Sequence, residues 1–99
     1  MDVIFRTNTL RKCYELEGEA ERKWGSDVGK LYAGRIDILR AISNIDELHL
    51  FQSLHYHKLT GPRRGQRSIT IQGLWRVILV PGPGNTEITV HEVVDYHEE

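Results

Sequence analysis

The chain has 99 residues and a formal net charge of −1, with 39% hydrophobic and 27% charged residues. This composition argues against a disordered or fibrous protein. The length predicts one domain over residues 1–99. The longest apolar stretch, residues 74–80, already contains Arg76, and the N-terminus has no long apolar run. These features argue against a transmembrane helix and a signal peptide and predict a cytosolic protein without a membrane partner.

The first half of the sequence predicts one strand and two helices. Residues 3–5 favour a strand, and apolar residues at helical spacing predict a helix over residues 10–24, weakened in its middle by Gly18. A second helix is predicted over residues 26–42. Polar residues that can cap a helix precede both segments. Because the connection between them is short, we expect an antiparallel helical hairpin.

The second half predicts a sheet. Residues 45–51 read as a helical turn and loop, after which β-branched and aromatic residues predict strands at 54–59, 67–71, 74–80 and 86–94. Short turns separate the last three strands, which indicates an antiparallel meander. The predicted fold is therefore α+β: an N-terminal strand and a helical hairpin packed on one face of a twisted, mainly antiparallel sheet of four to five strands. The other face is expected to stay open.

Four motifs of the second half occur in one order: residues 55–61 (HYHKLTG), residues 63–67 (RRGQR), Trp75-Arg76 and Asp95-Tyr96-His97. Together with Arg35-Ile36-Asp37 in the second helix, they resemble the HigB-type toxins of the RelE/ParE superfamily, and the resemblance covers most of the chain. It implies a RelE-like toxin of a bacterial type II toxin–antitoxin system. Such toxins cleave messenger RNA on the ribosome without a metal or another cofactor.

The same resemblance implies partners. The expected ones are the ribosome with its mRNA and a helix-turn-helix antitoxin of the HigA type, encoded beside the toxin. Contact with operator DNA is expected only through the complex with that antitoxin.

The residue types suit such a reaction. RNA cleavage without a metal needs a base for the 2′-hydroxyl, an acid for the departing 5′-oxygen and a cation for the phosphate. Histidine transfers protons near neutral pH, and arginine matches phosphate oxygens. We expect His57 and His97 to share the proton transfers and Arg76 to hold the phosphate. Asp95 would orient a histidine or serve as the base, and Tyr96 would position or stack a nucleobase.

Charge is unevenly distributed along the chain. No acidic residue occurs between Glu47 and Glu87, a stretch that is rich in cations. A basic block of this kind favours an anionic partner although the net charge is slightly negative. We expect the flanking cations to attract phosphates of RNA or the ribosome without sequence preference: Lys58, Arg63, Arg64 and Arg67.

Three alternatives remain open at this stage. His55 and His57, on one face of a predicted strand, could form half of a metal site with His91 or His97, although we favour a site without metal. The chain could instead be a ParE-like toxin that binds DNA gyrase without catalysis. It could also be a degenerate toxin that acts only as an antitoxin-binding module.

Overall fold

The computed structural model describes residues 1–96 as helices α1–α3 and strands β1–β5, joined by short 3-10 turns. In chain order the elements are β1 (Asp2–Phe5), α1 (Asn8–Glu15), α2 (Glu19–Trp24), α3 (Ser26–Ala41), β2 (His57–Lys58), β3 (Arg67–Gln72), β4 (Trp75–Pro81) and β5 (Glu87–Asp95). Within this part of the chain, no helix combines the length and the apolar character needed to cross a membrane.

The first predicted helix is divided into α1 and α2. The side-chain oxygen of Thr7 accepts a hydrogen bond from the backbone N–H of Leu10, which caps the start of α1. Gly18 then has a φ of 81°, a left-handed conformation that interrupts a right-handed helix. The expectation of one continuous helix over residues 10–24 is therefore wrong, because Leu16 is extended at the end of α1 and the left-handed Gly18 precedes α2.

The predicted helical hairpin is formed by α2 and α3, which approach each other closely at Gly29. A Cβ atom on Gly29 would lie 2.4 Å from the backbone nitrogen of Glu21 and 2.7 Å from the carbonyl carbon of Ala20. A side chain of any size would force the two backbones apart. Glycine at this position therefore sets the spacing of the hairpin.

The five strands form one sheet in the order β1-β5-β4-β3-β2. β1 runs parallel to β5, and every other neighbouring pair is antiparallel, which confirms the predicted α+β fold and the mainly antiparallel sheet. The helices cover one face, called here the helix-side face. Its core consists of fully buried residues from both layers, among them Tyr32, Ile36, Leu39, Ile69, Ile71, Val77, Leu79, Ile88 and Val90.

Two strand boundaries differ from the prediction. The strand expected at residues 54–59 is reduced to β2, because His55 has a φ of 47° and ends a 3-10 turn at Gln52–Leu54. A β-bulge between Thr70 and Gln72 makes Gln72 the partner of Trp75. The hairpin turn consequently lies one residue later than the sequence indicates.

Candidate functional site

Two rows of cross-strand partners occupy the sheet face opposite the helices, called here the far face. Residues directly opposite each other in antiparallel strands share a face. One row contains His57, Ser68, Ile78 and Glu92, and the other contains Thr70, Arg76 and Val94. From strand spacing and rise, the Cα atoms of His57 and Arg76 are separated by about 12 Å. The far face therefore brings these two predicted site residues within the combined reach of their side chains.

His57 is exposed at the end of β2, and its imidazole has a defined hydrogen-bond partner. The Nδ1 atom lies 2.8 Å from the carbonyl oxygen of His55. A carbonyl only accepts hydrogen bonds, so Nδ1 carries the proton and the neutral ring keeps its lone pair on Nε2. His57 can thus accept a proton at Nε2 from a ligand on the far face.

Arg76 is half-buried at the start of β4, and its guanidinium is held by the hairpin turn. Nη1 donates to the carbonyl oxygens of Gly73 at 2.6 Å and of Trp75 at 3.0 Å. The central guanidinium carbon also lies 5.7 Å from the ring centroid of Tyr96, within the range of a cation–π contact. Both carbonyl bonds use Nη1, which leaves Nη2 to bind a second ligand.

Two hydroxyl groups line the far face between His57 and Arg76. Ser68 has no exposed surface, and neither Ser68 Oγ nor Thr70 Oγ1 has a hydrogen-bond partner within residues 1–96. Buried polar atoms are usually paired, so unpaired ones require an explanation. Sequence reasoning missed both, because Ser and Thr in a strand carry no signal that separates a site residue from a surface residue.

The far face is less open than expected, because an ion pair crosses it. Nη1 of Arg63 donates to Oε1 of Glu92 at 2.6 Å and to Oε1 of Gln66 at 3.1 Å. The pair joins the loop before β3 to β5, above Ile78. Ile78 is fully buried although it lies outside the helix-side core. Sequence reasoning did not identify Glu92, which is far from Arg63 along the chain.

The other predicted RNA-binding cations do not form one surface. Arg64 is exposed and forms no ion pair with any residue that the structure describes. Lys58 and Arg67 are partners across β2 and β3, and Arg67 is also the partner of the core residue Leu79. The side chains of Lys58 and Arg67 therefore project on the helix-side face. Burial raises the pKa of the neighbouring Tyr56, and Arg67 partly offsets this effect.

The C-terminal motif is divided between the two faces. Asp95 is the partner of Trp75, which is the neighbour of Arg76 in β4 and lies on the opposite face of the sheet. The side chain of Asp95 therefore projects on the helix-side face. Tyr96 contacts Arg76 on the far face. His97 lies outside the described residues.

One premise of the metal alternative, that His55 and His57 share a strand face, is wrong. His55 is not in a strand and has a left-handed conformation, so it does not share a strand face with His57. In the described part of the chain, no three His, Cys, Asp or Glu side chains are grouped so that they could hold a metal ion.

Solved toxin structures share this arrangement of helices on one face of a five-stranded sheet. YafQ from E. coli strain BL21(DE3) superposes with a TM-score of 0.64 at 15% identity, covering 98% of this chain and 94% of that one. A YoeB/ParE toxin from Agrobacterium tumefaciens gives a TM-score of 0.57 at 14% identity, with 94% and 95% covered. The RelBE2 toxin–antitoxin complex from Mycobacterium tuberculosis gives 0.53 at 15% identity, with 95% of each chain covered. The fold is therefore that of the RelE-like toxins.

Sequence comparison narrows this class to one family. No curated protein gives a significant sequence match. The family model of the RelE-like toxin of the type II toxin–antitoxin system HigB, however, matches residues 3–97. The chain belongs to this HigB-like toxin family.

Proposed function

We propose that this toxin is an endoribonuclease that cleaves mRNA on the ribosome without a metal ion. The observation that carries the proposal is the far face itself. His57 and Arg76 lie together there, and neither Nε2 of His57 nor Nη2 of Arg76 has a hydrogen-bond partner among residues 1–96. This combination can accept a proton and bind an anion, which are two of the three requirements for RNA cleavage by its own 2′-hydroxyl.

In the proposed reaction, Nε2 of His57 takes the proton from the 2′-hydroxyl as the 2′-oxygen attacks phosphorus. The bond from phosphorus to the 5′-oxygen breaks, and His97 gives a proton to that oxygen. The products are a 2′,3′-cyclic phosphate and a 5′-hydroxyl. Arg76 binds the non-bridging phosphate oxygens, whose negative charge increases in the transition state.

The remaining site residues have supporting roles. Tyr96 supports the Arg76 guanidinium and stacks a nucleobase. Asp95, on the opposite face of β5, orients the end of that strand and does not contact the phosphate.

The proposed partners follow from membership of a toxin–antitoxin family. A helix-turn-helix antitoxin of the HigA type would neutralise the toxin, and operator DNA would be bound only through that complex. The ribosome would present the mRNA. Arg63 and the exposed Arg64 would attract phosphates, which makes binding sensitive to salt.

A cleavage assay on mRNA-programmed ribosomes tests the proposal. Alanine at His57, Arg76 or His97 should each abolish cleavage, as should a 2′-deoxy nucleotide at the cut site, because no 2′-hydroxyl is then available. The matched control is His55→Asn, which changes an exposed histidine two residues away and keeps a residue type that tolerates a left-handed φ. Full activity in all three alanine variants would refute the proposal.

Expression of the toxin without its antitoxin separates the alternative functions. Cleaved transcripts with intact DNA support the ribonuclease. DNA damage with intact transcripts would support gyrase binding instead. Normal growth with neither effect would leave only an antitoxin-binding module.

A further inference from the structure

We propose that Arg35 is a positioning residue, which holds the β-bulge of β3 from the helix-side face and thereby keeps the Arg76 guanidinium in position on the far face. The inference rests on the proposed function, because it gives Arg76 the task of binding phosphate. Arg35 itself does not reach the RNA.

The first step is the contact between α3 and the sheet. Arg35 projects from α3 and donates two hydrogen bonds of 2.9 Å, from Nε to the carbonyl oxygen of Thr70 and from Nη2 to that of Ile71. These two carbonyls are consecutive and lie at the bulge. A bulge interrupts the ladder locally, and buried carbonyls need partners. The guanidinium supplies two donors in a fixed geometry that one ammonium group cannot reproduce.

The second step is the effect of the bulge on register. Counting from the hairpin turn, Gln72 faces Trp75, and the next pair is Thr70 with Arg76, so Ile71 is the extra residue. Without the extra residue, Arg76 would face Ile71, a core residue of the helix-side face. A shift of one residue moves side chains to the opposite face of a sheet. The bulge therefore lets β3 and β4 both keep their apolar residues on the helix-side face while Arg76 faces Thr70 on the far face.

The third step is the guanidinium of Arg76, which depends on the same hairpin. Its two carbonyl acceptors belong to Gly73 and Trp75, both within or beside the turn that follows the bulge. Loosening the bulge would change the position of these acceptors relative to Tyr96. A small misplacement of a binding group lowers the rate of the chemical step more than it lowers affinity.

Burial of Arg35 fits a structural task. The side chain is half-buried, and burial lowers its pKa from the ordinary value. Two carbonyl bonds compensate for part of the lost hydration. The Arg35 guanidinium therefore serves to bind the carbonyl oxygens of β3.

A double-mutant cycle tests whether Arg35 acts through Arg76. Arg35→Lys keeps the positive charge but removes the pair of N–H donors that bind the two carbonyls. It should lower the single-turnover cleavage rate about tenfold, while ribosome affinity changes less than about twofold. In an Arg76→Lys background, the same change should cost less than about twofold, because the group it positions is already altered. Arg40→Lys is the matched control on α3. The guanidinium carbon of Arg40 lies 5.7 Å from the ring centroid of Tyr14 in α1, so this side chain contacts a helix and not the β-bulge. Equal losses in both backgrounds would show that Arg35 only stabilises the fold.

An NMR measurement gives an answer that does not depend on activity. The Arg76 Nε–H and Tyr96 ring signals should shift in Arg35→Lys and stay unchanged in Arg40→Lys. If the wild type does not cleave RNA, the proposed function fails and the NMR result alone decides the role of Arg35. If Arg35→Lys does not fold, Arg35→Gln, whose amide can donate to one carbonyl, is measured in the same way. Unshifted signals, or unfolding of both variants, would overturn the proposal.

Discussion

The carboxylate of Glu92 competes with the proposed RNA phosphates for the Arg63 guanidinium, which also donates to Gln66. Its ion pair with Glu92 is 2.6 Å long, with side chains 27% and 31% exposed, so phosphate must compete with a carboxylate that is already in place. Glu92→Gln should therefore raise affinity for a single-stranded oligonucleotide severalfold and steepen its logarithmic salt dependence by about 0.7, the contribution of one added phosphate contact. Filter binding at several salt concentrations measures both quantities.

Glu15→Gln is the control for this change. Glu15 forms a comparable pair with Arg11 at 2.8 Å, but on α1, away from the far face. An identical gain in both variants would show a general charge effect and would contradict competition at Arg63.

The different exposures of Arg64 and Arg67 give a second prediction at the residue scale. Arg64 is exposed, whereas Arg67 is half-buried near Tyr56 on the helix-side face. Arg64→Ala should weaken oligonucleotide binding and lower the salt slope by about 0.7, while Arg67→Ala should change affinity less than about twofold. In thermal unfolding, Arg67→Ala should lose more stability than Arg64→Ala. A stronger effect of Arg67 on binding would contradict this assignment of faces.

Individual site residues could be predicted from the sequence only where residue type is decisive. His57 and Arg76 were proposed because proton transfer and phosphate binding favour these residue types, and the strand register places both on the far face. Glu92 could not be identified, since the register shift between Ile78 and Leu79 in β4 determines which β5 residue meets Arg63. The opposite orientations of Asp95 and Tyr96 likewise depend on strand register.

At the scale of elements, Gly29 and Gly34 form a matched pair of glycines within α3. A Cβ on Gly29 would overlap the backbone of α2, whereas a Cβ on Gly34 would meet nothing within 4 Å. Gly29→Ala should destabilise the protein by about 1–3 kcal/mol, because the hairpin must open. Gly34→Ala should stabilise it by about 0.5–1 kcal/mol through helix propensity. Urea unfolding measures both, and a stabilising Gly29→Ala would disprove the close approach.

Element types were largely predictable, and their ends were not. Hydrophobic periodicity identified α3 and the last three strands, because each buries one continuous apolar face. The division between α1 and α2 involves the extended Leu16 and the left-handed Gly18, and the pattern marked only Gly18, as a weak point. The shortening of β2 depends on the left-handed φ of His55, a conformation for which histidine gives little warning.

For the whole molecule, the buried Tyr32 makes the free energy of unfolding decrease at alkaline pH. Tyr32 has no exposed surface, its hydroxyl donates to the carbonyl oxygen of Leu10 at 2.8 Å, and burial raises its pKa above the ordinary 10.0. The folded state thus binds the phenolic proton more tightly than the unfolded state. Its contribution to stability is complete below about pH 10 and is lost as pH rises through the folded-state pKa.

Tyr32→Phe tests this dependence. The variant should be less stable by about 1 kcal/mol at pH 7, because the hydrogen bond to Leu10 is removed. It should also lose less stability than the wild type between pH 9 and 11. Urea unfolding across this range provides the comparison, and parallel losses in the two proteins would exclude Tyr32 as the titrating group.

The sheet topology has a consequence for how the toxin is made. The first strand pairs with the last one, and the last also carries Tyr96 and the proposed acid at its end. A growing chain on the ribosome therefore has an unpaired first strand until β5 has been synthesised. The sheet, and with it the site that would attack mRNA, is assembled only after that strand is available.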